Sequence, residues 1–238
     1  MKRLLLISNS TNPGEGYLEW PREYIIDFIK NNKIKNILFI PYAGVTVTWD
    51  AYEQKVKDYF QLLDCNLVSI HHSKDPEEAI HKAECIAVGG GNTFNLLYHL
   101  QKNDLMHEII KKVNKGVPYM GWSAGSNLTC PSIKTTNDMP IVEPESFHSL
   151  DLIPFQINPH YLDAHPANHG GETRQQRIEE FLVVNQNMTV VGLREASLLE
   201  VNGESIALKG RNPLRLFKYN EVPVEYNPGD GIDFLLSE

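Results

Sequence analysis

The sequence predicts an α/β protein, a three-layer sandwich with a mostly parallel central sheet and a nucleophile elbow at Ser123. Three observations carry this. The first half of the 238-residue chain alternates short apolar runs with longer amphipathic segments. The apolar runs are rich in Val, Ile and Leu and lack polar alternation, as strands buried on both faces do. One such run ends in Gly121-Trp122-Ser123-Ala124-Gly125, a serine between glycines where a strand meets a helix.

The elements follow in order along the chain. "RLLLIS" (3–8) reads as a first buried strand. Its apolar core, Leu4 to Ile7, falls short of the roughly 7–15 residues of a secretory leader. A helix is predicted over 17–32, a strand over 36–43, a helix over 48–64 and a strand over 66–71. A short helix over 75–83 precedes the strand "CIAVGG" (85–90). One long helix is predicted over 93–116, then the strand "VPYMGW" (117–122) and helical residues from 124. Helices between strands imply right-handed crossovers and parallel pairing. Residues 131–170, rich in Pro, Asn, His and Asp, read as loops around one strand, "LIPFQIN" (152–158). A helix over 171–185 follows. Residues 189–210 read as strands joined by a tight turn at Asn202-Gly203, and "RLFKYN" (215–220) as a last strand. No linker or repeat divides the chain, so a single catalytic domain over 1–238 is the expectation.

Composition narrows the partners. The chain is 42% hydrophobic and 22% charged, with a net charge of −8 and no Lys/Arg-rich run. Such a chain gains nothing from phosphate counterion release, which argues against nucleic acid. An acidic substrate would need a local arginine cluster. No apolar stretch approaches the roughly 20 residues that span a bilayer. Cys65, Cys85 and Cys130 are odd in number and form no CxxC pair, so buried thiols in a reducing cytoplasm are expected. No cofactor is expected. The partner would be a small molecule, and the assembly a monomer or small homo-oligomer.

The chemistry centres on Ser123. A strand turning at once into a helix passes a cramped corner that small neighbours permit, and the hydroxyl is left exposed. The amide of Ala124 would face the site at the helix start, where partial positive charge favours an oxyanion. The alternative is a Gly-rich turn with a helix-capping serine. A hydroxyl nucleophile needs a base and an orienting acid. The histidines that follow are His148, His160, His165 and His169, and the acids include Glu172, Glu195 and Glu200. Glu195 ends a Val-rich strand. Gly89, Gly90 and Gly91 close another strand and offer further amide donors, with Asn92-Thr93 able to cap the next helix. This loop lacks the lysine of a P-loop and the spacing of a dinucleotide loop. A rival constellation is His160, Asp163, His165 and His169, which could hold zinc. Its spacing is not H-E-x-x-H, and Pro166 breaks any helix that would align it.

Five stretches together carry a resemblance: "VGGGNTFNLL", "GWSAGSN", "TTNDMPIVEP", "INPHYLDAHPANHGGETRQQRIEEF" and "GLREASLLEV". They resemble the peptidase E family of serine peptidases, the alpha-aspartyl dipeptidases, over essentially the whole chain. The resemblance implies a class I glutamine amidotransferase-like fold and a Ser-His-Glu triad of Ser123, His160 and Glu195. It implies cleavage of dipeptides with an N-terminal aspartate, with Arg174 holding the substrate carboxylate. Amides of Gly90, Gly91 and Ala124 would bind the oxyanion, and Asn92, Thr93 and Asp138 join the substrate-binding candidates. Asp138 lies in a family motif, with substrate binding and loop support both open. Arg177 is expected to pair with Glu180. Arg194 departs from the smaller residue common before the triad acid, and a local ion pair is expected there. Alternatives are a cyanophycinase-like aspartyl-peptide hydrolase, a metal-dependent amidohydrolase on the His160–His169 loop, and a non-catalytic binding module.

Overall fold

A computed structural model of the chain describes residues 1–163 and 170–237. The larger sheet has seven strands in the order β3-β2-β4-β5-β1-β8-β9. These are β1 (Arg3–Ile7), β2 (Asn36–Ile40), β3 (Asn66–Ser69), β4 (Ile86–Val88), β5 (Tyr119–Trp122), β8 (Ser197–Asn202) and β9 (Ser205–Gly210). The first five are parallel, and β8 joins β1 antiparallel. Period-2 geometry explains the continuous apolar runs. Leu4 and Leu6 enter one core and Leu5 and Ile7 the other, all four wholly buried. Each such side chain contributes about 1.5–3 kcal/mol of gross burial.

Helices cover both faces. α1 (Arg22–Asn32) and α2 (Trp49–Gln61) pack on the Leu5/Ile7 side through Ile25, Phe28, Tyr52, Val56 and Phe60. α3 (Pro76–Lys82), α4 (Thr93–Lys102), α5 (Met106–Asn114) and the single-turn α6 (Ala124–Asn127) lie on the other side. The long predicted helix over 93–116 is two helices. Asp104 takes a left-handed φ of 55° between them and lets α5 turn back. The predicted helix over 17–32 starts only at Arg22, because Leu18 has positive φ and folds back to donate to the Ser10 carbonyl.

A second sheet, in the order β11-β10-β7-β6, departs most from the sequence reading. It comprises β6 (Gln156–Tyr161), β7 (Val190–Arg194), β10 (Leu214–Phe217) and β11 (Val224–Tyr226). β7 does not join the sheet of the two strands that follow it. Instead Glu195-Ala196, with Ala196 at φ 57°, carries the chain from one sheet to the other in two residues. β6 lies further along than the predicted 152–158, and pairs in parallel with β7. The β8–β9 hairpin is present, with Gly203-Glu204 between the paired Asn202 and Ser205. α7 (Arg174–Val184) covers the outer face of this sheet, with Ile178 and Leu182 against Tyr161, Val190 and Phe217. Cys65, Cys85 and Cys130 are buried and unpaired. Among the described residues no helix is long and apolar enough to cross a membrane.

Candidate active site

Ser123 sits one residue past β5, at the carboxyl edge of the parallel strands, where open α/β sheets bind ligands. Its backbone has φ 54° and ψ −111°, a strained conformation, and its amide donates to the Ile7 carbonyl at 2.9 Å. The flanking glycines are there for contact. A Cβ on Gly121 would collide with the Gly125 carbonyl, and one on Gly125 with the Val88 carbonyl. The hydroxyl of Ser126 closes the corner by reaching the carbonyls of Ile7 and Gly121 at 2.8 and 2.9 Å. The serine therefore tops a backbone crossing that its neighbours hold.

His160 Nε2 lies 2.9 Å from Ser123 Oγ, and His160 Nδ1 lies 2.8 Å from Glu195 Oε1. The His160 and Glu195 side chains are each a little over a third exposed. His160 sits at an irregularity in the β6–β7 ladder, with φ 53°, and this turns the imidazole toward β5. Glu195 occupies the corner between the two sheets. The other histidine and acid candidates lie elsewhere. His148 is in an isolated bridge to Ser132, Glu200 pairs with Lys209, and Glu172 pairs with Arg177 at 3.8 Å. That last contact corrects the expected Arg177–Glu180 pair.

The loop 89–92 faces Ser123. Gly91, at φ 137°, packs where a Cβ would strike the Ala43 carbonyl, and Gly90 abuts Ser123 itself. Among the described residues the amides of Gly90, Gly91 and Ala124 donate to no protein group. Tyr52 braces this loop. Its hydroxyl donates to the Gly90 carbonyl at 3.1 Å and accepts from Trp122 Nε1 at 3.0 Å. Around the serine lies a cavity of about 760 Å³, lined by Tyr17, Val45, Val47, Lys55, Asn92, Asp138 and Ile141 among others.

The remaining predicted residues divide. Asn92 lines the cavity, and its side chain caps α4 through Asn95 and donates to the Met139 carbonyl. Thr93 does not face the cavity and is buried. Its amide and hydroxyl both donate to Asp138 Oδ2, which also accepts from Thr136. Direct substrate contact by Thr93 is thus replaced by a supporting role. One oxygen of Asp138 is spent on loop support, while the residue itself lines the cavity. Arg174 opens α7 after the Thr173–Gln176 capping box. It is half-buried and makes no ion pair or hydrogen bond among the described residues. Burial and the neighbouring Arg177 lower its pKa, and the charge of Asp138 opposes them. It is not among the residues lining the serine's cavity. Of the zinc alternative, His165 and His169 lie outside the described residues. His160 is bonded as above, and Asp163 is paired with Arg194 at 2.6 Å.

Two residues that the sequence reading passed over hold the assembly. Ser8 and Asn9 follow β1 and are buried. Ser8 Oγ donates to the Leu193 carbonyl at 2.8 Å and accepts from the His160 amide at 3.0 Å. Asn9 Oδ1 accepts from the Ala196 amide at 2.8 Å. They tie the His160 and Glu195 corners to the central strand. The available signal was a pair of small polar residues directly after the apolar run Leu4–Ile7, at the carboxyl edge.

Comparisons with known proteins identify the family. Residues 4–209 match the model of Peptidase family S51. A Peptidase E from Nostoc sp. is 51% identical over 235 residues, covering 99% of this chain and 97% of that protein. A Peptidase E from Salmonella typhimurium is 47% identical over 226 residues, covering 95% and 98%. Among solved structures, a peptidase from an acI-B1 Actinobacterium superposes with a TM-score of 0.70 at 16% identity, covering 98% of this chain and 96% of that one. A Listeria monocytogenes EGD-e protein assigned to peptidase E gives 0.65 at 23%, covering 89% and 100%. At those identities the two structures speak to the fold alone. Family model and full-length relatives together establish that this chain belongs to peptidase family S51, the peptidase E family of serine peptidases.

Proposed function

We propose that the chain is a serine-type dipeptidase that hydrolyses dipeptides with an N-terminal aspartate. The observation that carries the reading is the hydrogen-bonded relay from Ser123 through His160 to Glu195. Glu195 accepts the Nδ1 proton of His160, which leaves the Nε2 lone pair for the serine proton. As Ser123 Oγ attacks the scissile carbonyl carbon, its proton passes to Nε2. The carbonyl oxygen, now negative, meets the unpaired amides of Ala124 and the Gly90-Gly91 segment. One such donor contributes about 2.7–4 kcal/mol to the transition state. His160 then protonates the leaving amine, and water releases aspartate from the acyl-enzyme by the reverse path. Arg174, a half-buried guanidinium without a carboxylate partner among the described residues, is the group for the substrate's side-chain carboxylate. Lys55 is the sole lysine or arginine among the lining residues, and its ammonium rests 4.1 Å from the Tyr17 ring centroid. It suits the terminal carboxylate of the leaving residue.

The test is a panel of Asp-X, Asn-X, Glu-X and isoaspartyl dipeptides. Release from Asp-X alone, lost by at least about 10³-fold in Ser123→Ala, is the expected outcome. Full activity in that variant would end the serine mechanism. Arg174→Ala should lower kcat/KM for Asp-X by about 10²-fold, the value of a lost bidentate carboxylate contact. An unchanged Asp-over-Asn preference would remove Arg174 from recognition.

A further inference from the structure

The proposed reaction uses none of the groups gathered where the first turns of α2 meet the end of β3. There, Asp50, Glu53, His71 and His72 each direct one ligand atom to a common point, and the four atoms all lie within 4.8 Å of one another. His71 Nε2 is 3.0 Å from Asp50 Oδ1, and His72 Nε2 is 3.4 Å from the same oxygen and 2.7 Å from Glu53 Oε2. A tetrahedral cation with ligands at about 2.0–2.1 Å sets its ligand atoms about 3.3 Å apart. The observed separations straddle that value, so a cation needs only small side-chain shifts to enter.

We propose that Asp50, Glu53, His71 and His72 form a binding site for a divalent transition cation of the zinc type. The chemistry of the set supports this. Two imidazoles and two carboxylates are a borderline donor set that suits zinc over magnesium or calcium, which prefer oxygen alone. The two carboxylates also balance the cation's charge. They outweigh the partial positive charge of about one half at the N-terminus of α2.

The inner half of the site is held by groups outside it. His71 Nδ1 lies 2.6 Å from Ser69 Oγ, which is 3.4 Å from the Phe39 carbonyl. With the proton on Nδ1, that relay leaves Nε2 free to ligate. Glu53 Oε1 accepts from the Ser69 amide at 3.1 Å, leaving Oε2 for the cation. Trp49 packs edge-on against the His71 ring. The His71 and Glu53 side chains are only 10% and 12% exposed, whereas Asp50 and His72 are 77% and 53% exposed. A preformed inner pair with an open outer pair gives the cation a way in.

A second cluster, Glu77, His81 and Glu108, serves as an internal control. It has one imidazole, and Glu108 is already engaged by Lys111 at 3.3 Å. A lysine there supplies the positive charge that a cation would bring.

The experiment is equilibrium dialysis of the chelator-stripped, full-length protein against micromolar zinc at neutral pH, with bound metal counted by mass spectrometry. The parent protein should retain one equivalent that His72→Ala and Asp50→Asn weaken at least about tenfold, while His81→Ala leaves it unchanged. His72 and Asp50 are exposed, so both variants should fold, which circular dichroism checks. The same uptake in parent, His72→Ala and Asp50→Asn would place zinc elsewhere and overturn the proposal. No uptake by the parent protein would overturn it equally. Because zinc uptake is read directly, neither result depends on peptidase activity.

Discussion

Three non-glycine residues with left-handed φ meet at the candidate site: Ser123 at 54°, His160 at 53° and Ala196 at 57°. Each costs about 1–2 kcal/mol and persists only where its surroundings over-determine it. The surroundings here are specific. Ser126 and the close-packed glycines hold Ser123, Ser8 holds His160, and Asn9 holds Ala196. Ser8 touches none of the reacting groups, so it is a positioning residue. Ser8→Ala removes both the bond to the His160 amide and the one to the Leu193 carbonyl, leaving a buried donor and acceptor unpaired. The expected cost is about 1–3 kcal/mol of stability, read from the urea midpoint. Because the imidazole would lose its fixed direction while the cavity stays intact, kcat should fall about tenfold with KM nearly unchanged. An equal effect on both constants would mean that Ser8 acts on the cavity rather than on the ring.

At the scale of elements, what could be read from the sequence depended on periodicity. The five parallel strands were legible because burial on both faces writes an apolar run, and α7 because Ile178, Phe181 and Leu182 recur at helical spacing on one side. The second sheet was not legible. Its crossing at Glu195-Ala196 contains neither glycine nor proline, and β11 is short and largely exposed. Ser123 stood out by spacing and Glu195 by its place at the end of a Val-rich strand, whereas His160 was singled out among the histidines only by family resemblance. Their proximity depends on a ladder irregularity and a two-residue corner. Arg194 explains how that corner is fastened at the surface. Its guanidinium pairs with Asp163 at 2.6 and 2.8 Å and with Glu225 at 2.7 and 2.9 Å, joining the ends of β6, β7 and β11. The hydrogen bond from Arg194, with the charges of Arg194 and Arg215, holds the Asp163 carboxyl below its ordinary range against partial desolvation. A depressed carboxyl stabilises the fold above its unfolded value of about 3.9, and the gain is lost as pH falls through the lower folded value. Asp163→Asn should therefore destabilise at neutral pH by about 0.5–1 kcal/mol, since half-exposure screens the pair. The difference in urea midpoint should shrink toward zero in acid. A difference that is constant with pH would assign the effect to packing instead.

The whole molecule carries a net charge of −8, yet the proposed substrate is itself an anion. At physiological ionic strength the Debye length is about 8 Å, so the global field is largely screened and recognition falls to cations near the cavity. The two cations proposed for that role come from different places in the fold. Arg174 comes from α7 over the second sheet, and Lys55 from α2 over the first. The serine's cavity lies at the shared carboxyl edge of β1, β2, β4 and β5. An ammonium there that rests on an aromatic ring, with no carboxylate partner among the described residues, is poised to exchange that contact for an anion. This separates two substrates that differ only at the far end. Asp-Leu carries a terminal carboxylate, and Asp-Leu amide does not. Lys55→Met keeps the aliphatic stem over Tyr17 and removes the charge. It should raise KM for Asp-Leu about two- to fivefold, the worth of one solvent-exposed charged contact, and leave KM for the amide unchanged. Added salt should narrow the gap between parent and variant on Asp-Leu, because the lost interaction is electrostatic. If both substrates suffer equally, Lys55 is only part of the wall, and the preference for a free terminal carboxylate must come from another group.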